Sequence, residues 1–218
     1  MSWQIDLLDA FALLEEYKII VARTGYVDSA ENALVFANTR PIVLYPLQAD
    51  GHWYDRARGE PASNDKTVHD VYRRLSEKFG ARLLAQVDVE SGTDVIVSGE
   101  ERKGEKIVRF VSGTHDVERV CPLSEDAAES MLAEFHASKG LGSGEKLMRT
   151  LAHMLVKVAA MYVESEIDDF VLHVRVHDNG YKVLDAKMMT ERMPKITKRL
   201  GRHAHDRKSY DYHPAGRQ

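Results

Sequence analysis

Cysteine is almost absent: Cys121 is the single one in 218 residues. A lone thiol excludes an internal disulfide framework and any cysteine-rich metal site. Long hydrophobic runs are also missing. The most apolar stretch, residues 147–163, is broken by Arg149, His153 and Lys157, and nothing approaches the roughly 20 apolar residues that a bilayer span needs. The opening Met1-Ser2-Trp3-Gln4-Ile5-Asp6 lacks the basic and apolar regions of a secretory leader. A cytoplasmic protein without membrane contact is therefore expected. Repeats and low-complexity segments are absent as well, which excludes solenoid and fibrous architectures.

What is present reads as a globular domain. Hydrophobic residues make up 44% and charged residues 29%, enough for a core and a solvated surface. The length suits one large domain or two small ones. Net charge is −4 but uneven: residues 187–218 hold nine Lys/Arg against three Asp/Glu, +6, which leaves −10 on the body. A basic tail on an acidic body suits a partner surface or a phosphate-bearing ligand. No nucleic-acid partner is expected.

Helical and strand patterns alternate along the chain. Leu7, Leu8, Phe11, Leu13 and Leu14 form an apolar helical stripe ending near Tyr17. Ile19-Ile20-Val21-Ala22 reads as a strand. Asp28 with Glu31 reads as a capping box opening a helix to about Asn38. Pro41-Ile42-Val43-Leu44-Tyr45 reads as a strand near a sheet edge, and polar residues 48–63 read as a loop. A helix starts at Asn64 or Asp65, carries Val68, Val71, Leu75 and Phe79, and stops at Gly80. Strands are expected at 82–87, 94–98, 105–111 and 117–121, the middle two joined by the charged loop 99–104. Ser124 caps a helix to about Ser138, the glycine-rich linker 139–144 follows, and a long helix fills 145–165. Strands 170–177 and 181–187 close the body. Between them Asn179-Gly180 fits a two-residue type I′ turn. Mixed helices and antiparallel strands give an α+β class. The methionines at 148, 154, 161, 188, 189 and 193 read as core filling or an adaptable partner face.

Several motifs then occur in a telling order. Helix 6–17 is followed by Asp28-Ser29-Ala30-Glu31-Asn32-Ala33 and Pro41-Ile42-Val43-Leu44, and next by His52-Trp53-Tyr54-Asp55 and Gln86. The hairpin 93–111, the run Asp116-Val117-Glu118-Arg119-Val120-Cys121-Pro122-Leu123-Ser124 and the closing Val183-Leu184-Asp185-Ala186-Lys187 complete the series. In this order the chain resembles the ATP-grasp domain, or beta subunit, of NDP-forming (ADP-forming) acetate and acyl-CoA synthetases, over about residues 5–190. The resemblance implies a two-lobed ATP-grasp-like α+β fold. A small N-terminal α/β lobe would span 1–63, an antiparallel-sheet lobe 64–190 and the basic tail 191–218. It also implies phosphoryl transfer from ATP with Mg²⁺, coenzyme A handled through a CoA-binding alpha-type partner subunit, and a hetero-oligomer.

The resemblance also nominates residues. His52 would carry the phosphoryl group, since a neutral imidazole can attack phosphorus, and Asp55 would orient it. Gln86 would contact the base or hinge, Asp94 the ribose, and Asp185 a metal. The departures are equally specific. Tyr45 and Trp53 stand where the family has lysines, and tyrosine cannot supply that charge. Arg56, Arg58 and Lys66 are the nearby cations that could replace it. The segment before Asp116 is too short for the family's Mg²⁺-binding glutamate. Phe170-Val171-Leu172-His173-Val174-Arg175-Val176 holds no asparagine or carboxylate where the family has "D-i-N-P". His173, Arg175 and His177 share one strand face, as solvated side chains or as ligands. The functional expectation is a subunit with reduced or lost ATP/Mg chemistry. The alternatives are an active acid–CoA ligase subunit relaying phosphate through His52, and a nucleotide or CoA sensor without turnover.

Overall fold

A computed structural model describes residues 3–47, 54, 56–88, 91–138 and 144–191. The chain starts with β1 (Trp3–Gln4) and α1 (Leu7–Glu16), whose N-cap Asp6 accepts the Leu8 N–H at 2.9 Å. Next come β2 (Thr24–Val27), α2 (Ala30–Ala37), β3 (Ile42–Pro46), a 3₁₀ turn at Arg56–Arg58 and β4 (Glu60–Ala62). The third helix, α3 (Asp65–Phe79), is held by a capping box in which Asn64 and Thr67 satisfy each other's backbone N–H. Then follow β5 (Leu83–Val87), β6 (Thr93–Arg102), β7 (Glu105–Ser112) and β8 (His115–Val120). The helices α4 (Glu125–Ser138) and α5 (Glu145–Glu164) and the hairpin β9 (Asp169–His177) and β10 (Gly180–Thr190) end the described chain.

The strands form two wholly antiparallel sheets. The larger has the order β1-β10-β9-β6-β7-β8 and the smaller β2-β5-β3-β4. Both have apolar interiors because alternate residues of each strand face helices. Phe170, Leu172, Val174 and Val176 of β9 are buried with Leu151, Met154, Leu155, Val158 and Tyr162 of α5. Edge-to-face ring pairs pin this core: Phe110 with Phe135 at 5.0 Å and Tyr162 with Phe170 at 5.1 Å. Met154, Met161 and Met188 are fully buried here, which settles them as core filling. The smaller sheet packs Ile42, Leu44, Leu83 and Ala85 against Val68, Val71 and Leu75 of α3. Tyr45 and Leu84 point the other way, into the larger cluster.

Several local expectations change. Residues 19–22 make a single parallel bridge, Val21 to Val183, instead of a strand. The short Thr24–Val27 is a strand because it pairs with β5, a partner invisible to local sequence. Within the expected loop 48–63, Glu60–Ala62 pairs with β3 as an edge strand, where Pro61 needs no ladder donor. Ser29, not Asp28, caps α2, its Oγ accepting the Asn32 N–H at 3.0 Å. The charged residues 99–102 belong to β6, and the turn is Lys103-Gly104, both with positive φ (55° and 84°). At the last hairpin Gly180 pairs with His177, so Asp178-Asn179 form the turn and no type I′ Asn-Gly pair exists. Cys121 is half-buried just after β8, and burial pushes its thiol up to about 11, so it stays protonated and unreactive.

Candidate functional site

The alternation that buries one side of β9 sends Val171, His173, Arg175 and His177 to its other face. In β10 the register slips at Leu184: Val183 lies opposite Val174, but Asp185 lies opposite His173. This bulge reverses which residues face the core, so Asp185 joins His173 on the outward face. It also frees Leu184 to pack on Ala22. The outward face of β9 and β10 meets groups from the smaller sheet. Arg175 interacts electrostatically with Tyr45 of β3 and with Asp88, which follows β5.

Gln86 is the buried polar group at this junction, 5% exposed. Its side-chain N–H groups donate to Thr24 Oγ1 at 3.0 Å and to the Leu184 carbonyl at 2.8 Å. Thr24 Oγ1 in turn donates to the Ala22 carbonyl at 2.9 Å. A second tie runs from Tyr26 Oη to Asp6 Oδ2 at 2.8 Å, with the Arg82 guanidinium 4.1 Å over the Tyr26 ring. Together these bonds join β2 and β5 of the smaller sheet to β10 and the start of α1.

In front of that junction four polar groups are committed to one another. Asp94 on β6 lies opposite Arg175 and accepts from the Nε/Nη2 edge of its guanidinium with both oxygens, Nη2 to Oδ2 at 3.0 Å. The hydrogen bond from Arg175 holds the Asp94 carboxyl below its ordinary value of 3.8, with nearby Arg56 and His173 adding to the effect. A depressed folded-state value means that the pair's stabilisation is present above the unfolded value and is lost as pH falls through the folded one. Urea denaturation of the natural chain and of Asp94→Asn should therefore converge in acid and differ near neutrality. The difference should be no more than about 1 kcal/mol for so exposed a pair; equal stabilities throughout would sink the assignment.

Burial drives the Tyr54 phenol far above its ordinary range, and the nearby Asp185 carboxylate adds to the effect. Its ring meets the Tyr45 ring edge-on at 5.0 Å. Tyr45 is itself packed in, 8% exposed. A Cβ on Gly59 would lie 2.2 Å from the Tyr45 ring, so glycine leaves room for the tyrosine that stands in place of the lysine of the resembled family. Arg56 lies within electrostatic reach of Tyr45, Tyr54 and Asp94, and its Nη1 is buried without a hydrogen-bond partner.

The structure thus brings Asp94 and Asp185 onto one sheet face, with Gln86 at its back. His52 and Asp55 lie outside the described residues, as do Trp53, residues 139–143 and the basic tail from 192. Of the three candidate cations, Arg56 reaches the site. Arg58 stacks over Phe79 at 5.4 Å, and Lys66 is exposed on α3. Sequence reasoning missed Tyr54 and Asp88, whose approach depends on the meeting of two sheets. Arg175 was visible in the His173–Arg175–His177 alternation, but its partner Asp94 was not.

Magnesium demands several oxygen ligands in near-octahedral order. Among the described residues no group of three His, Cys, Asp or Glu is arranged to hold a metal. Asp94 already accepts from Arg175, which leaves Asp185 as a lone carboxylate beside Tyr54. The described donor set does not fit Mg²⁺.

No protein-family model matches the chain, and no curated protein is similar to it in sequence. Solved structures are similar in fold. The apo form of dinucleotide forming acetyl-coenzyme A synthetase 1 from Ca. Korarchaeum cryptofilum aligns with a TM-score of 0.71 and 23% identity, over 86% of this chain and 93% of that one. PH1788 from Pyrococcus horikoshii Ot3 aligns with a TM-score of 0.68 and 16% identity, over 85% and 90%. ATP citrate lyase from Methanosaeta concilii aligns with a TM-score of 0.60 and 12% identity, over 100% of this chain and 56% of that one. At such identities the likeness is one of fold, and the fold is ATP-grasp-like.

Proposed function

We propose that this chain is an ATP-grasp-like subunit of an NDP-forming acyl-CoA synthetase-type complex, with its ATP/Mg chemistry reduced or lost. The observation that carries the proposal is the commitment of the cleft carboxylate Asp94 to the Arg175 guanidinium. A metal-assisted phosphoryl transfer needs free oxygen ligands to neutralise the developing charge. The neighbouring Korarchaeum synthetase is described in complex with coenzyme A and Mg-AMPPCP, with a phosphohistidine segment that points towards its nucleotide site. That description supports reading this chain as part of the same kind of assembly; a CoA-binding partner subunit and a cytoplasmic setting belong to the proposal.

The proposal includes a two-lobed division. Because β5 lies between β2 and β3 in the smaller sheet, and β1 and α1 pack with the larger one, this division would group residues 24–87 as the smaller lobe in place of 1–63. The basic tail would dock the partner. In this reading Gln86 tethers the lobes, and His52 has no phosphoryl group to carry.

Incubation of the purified chain with γ-labelled ATP and Mg²⁺, alone and with a CoA-binding partner from the native cell, tests the reading. No label should be incorporated. Incorporation that His52→Ala abolishes would overturn it and favour the active ligase.

A further inference from the structure

We propose that the open edge of the larger sheet beside β1 is the seat of the chain's own basic segment, residues 192–202. This holds whether or not the cleft retains ATP chemistry. The strand β1 ends the sheet order, and no described strand pairs with its outer side. Trp3 on that strand is 47% exposed, one of few large apolar side chains left in solvent. Its register partner is Thr190, and the described chain ends one residue later. The segment from 192 onward therefore leaves the body next to an uncovered indole. The turn between α5 and β9 is fastened at the same place. Thr190 Oγ1 donates to the Glu166 carbonyl at 2.6 Å, and the Asp168 N–H donates to the Met189 carbonyl at 2.9 Å.

That turn is acidic. Residues 163–172 hold Glu164, Glu166, Asp168 and Asp169 and no Lys or Arg. Glu164, Asp168 and Asp169 are exposed, with the exposed Val163 beside them. Neighbouring charges do not cancel the excess. Glu100 and Glu101 of β6 add two carboxylates, and the cations in reach are Lys187, Lys106 and Arg102, so six acids meet three bases, −3. Lys106 is occupied by the Tyr162 and Ile167 carbonyls, and Arg102 by Glu100 and Glu118. Where α1 meets α5, Lys18 and Lys157 are matched by Glu15 and Glu16.

Residues 192–202 supply the complement: Arg192, Lys195, Lys198, Arg199 and Arg202, with no acid among them. Met193, Ile196 and Leu200 recur at the i, i+3, i+7 spacing of one helical face. They offer apolar cover for Trp3, and a lysine or arginine over an indole gains a cation–π contact. Starting at 192, the segment reaches Trp3 within a few residues at about 3.3 Å each. Exposed ion pairs are individually weak, but a short tether raises the effective concentration to about the millimolar range, so several weak contacts suffice. A partner subunit that takes the tail would lift it from this seat and uncover Trp3.

Carbodiimide cross-linking of the full chain, mapped by mass spectrometry, tests the seat. Amide links should join Lys195 or Lys198 to Glu164, Glu166, Asp168 or Asp169. In a mixture of isotope-labelled and unlabelled chains these links should stay within one chain. Salt at about 1 M, where screening acts within about 3 Å, should abolish them. Trp3 gives a second readout that needs no reaction. In a Trp53→Phe background it is the single tryptophan, and its quenching by acrylamide should rise about twofold when Lys195→Gln, Lys198→Gln and Arg199→Gln are combined or when salt screens the pairs. Links between chains would assign the edge to a second copy and overturn the proposal. So would tail links spread evenly over the other exposed carboxylates, no tail link at all, or Trp3 quenching that ignores the tail substitutions.

Discussion

Phe170→Ala is expected to lower folding stability by about 3–5 kcal/mol, the range for removal of a buried aromatic ring from a packed core. Phe170 is 1% exposed on β9, edge-on to Tyr162 of α5 and directly over Gly99 of β6. The Gly99 contact makes a sharper test. A Cβ at position 99 would sit 2.1 Å from the Phe170 ring, so Gly99→Ala should itself cost about 1–3 kcal/mol through overpacking. With the ring gone, that added methyl meets no obstacle. The double variant should therefore be more stable than the sum of the single effects predicts, by about 0.5–3 kcal/mol. Chemical denaturation of the four proteins gives this coupling energy directly. Additive losses would mean that the ring does not lie over Gly99.

Gln86→Leu carries the second large effect. Leucine keeps the shape and apolar bulk of the side chain and removes both donors. The Leu184 carbonyl at the β10 bulge then loses its buried partner, at a cost of about 1–3 kcal/mol, and the bond to Thr24 accounts for about 1 more. The expected loss is about 2–4 kcal/mol. Hydrogen exchange should show faster opening around residues 22–24 and 183–185, where the smaller sheet is tied to the larger. Thr24→Val cuts only the outer bond and should cost less. A neutral Gln86→Leu would mean that the tie between sheets does not depend on this amide. By the resemblance Gln86 was expected to contact the base or the hinge. Here its donors are engaged within the protein, which is a physical reason to read it as a tether.

Much of the fold could be read from local pattern. Asn64 and Gly80 bound α3 at both ends, Ser124 precedes α4, and the apolar stripe of α5 runs at helical spacing from Leu147 to Tyr162. Period-2 alternation at 170–176 marked which side of β9 is buried. Elements whose stability comes from distant partners could not be read this way. Thr24–Val27 and Glu60–Ala62 are short strands that exist because β5 and β3 offer ladders to them. The bulge at Leu184 could not be read locally, because it shows only in the register of β10 against β9.

The candidate site divides in the same manner. The sequence by itself determined the inventory: Asp94, Asp185, Gln86, the cations near Arg56, and a tyrosine at 45 where the resembled family uses lysine. Side-chain chemistry is local, and motif order identifies which groups belong together. Tertiary structure alone decided what those groups are free to do. Arg175 and Asp94 are 81 positions apart and meet because β9 and β6 are neighbours in the sheet. Tyr54 reaches Asp185 only after the bulge has turned that carboxylate outward. A carboxylate available for a metal and one already held by a guanidinium are the same letter in a sequence. The difference lies in which partner the fold brings within hydrogen-bond distance.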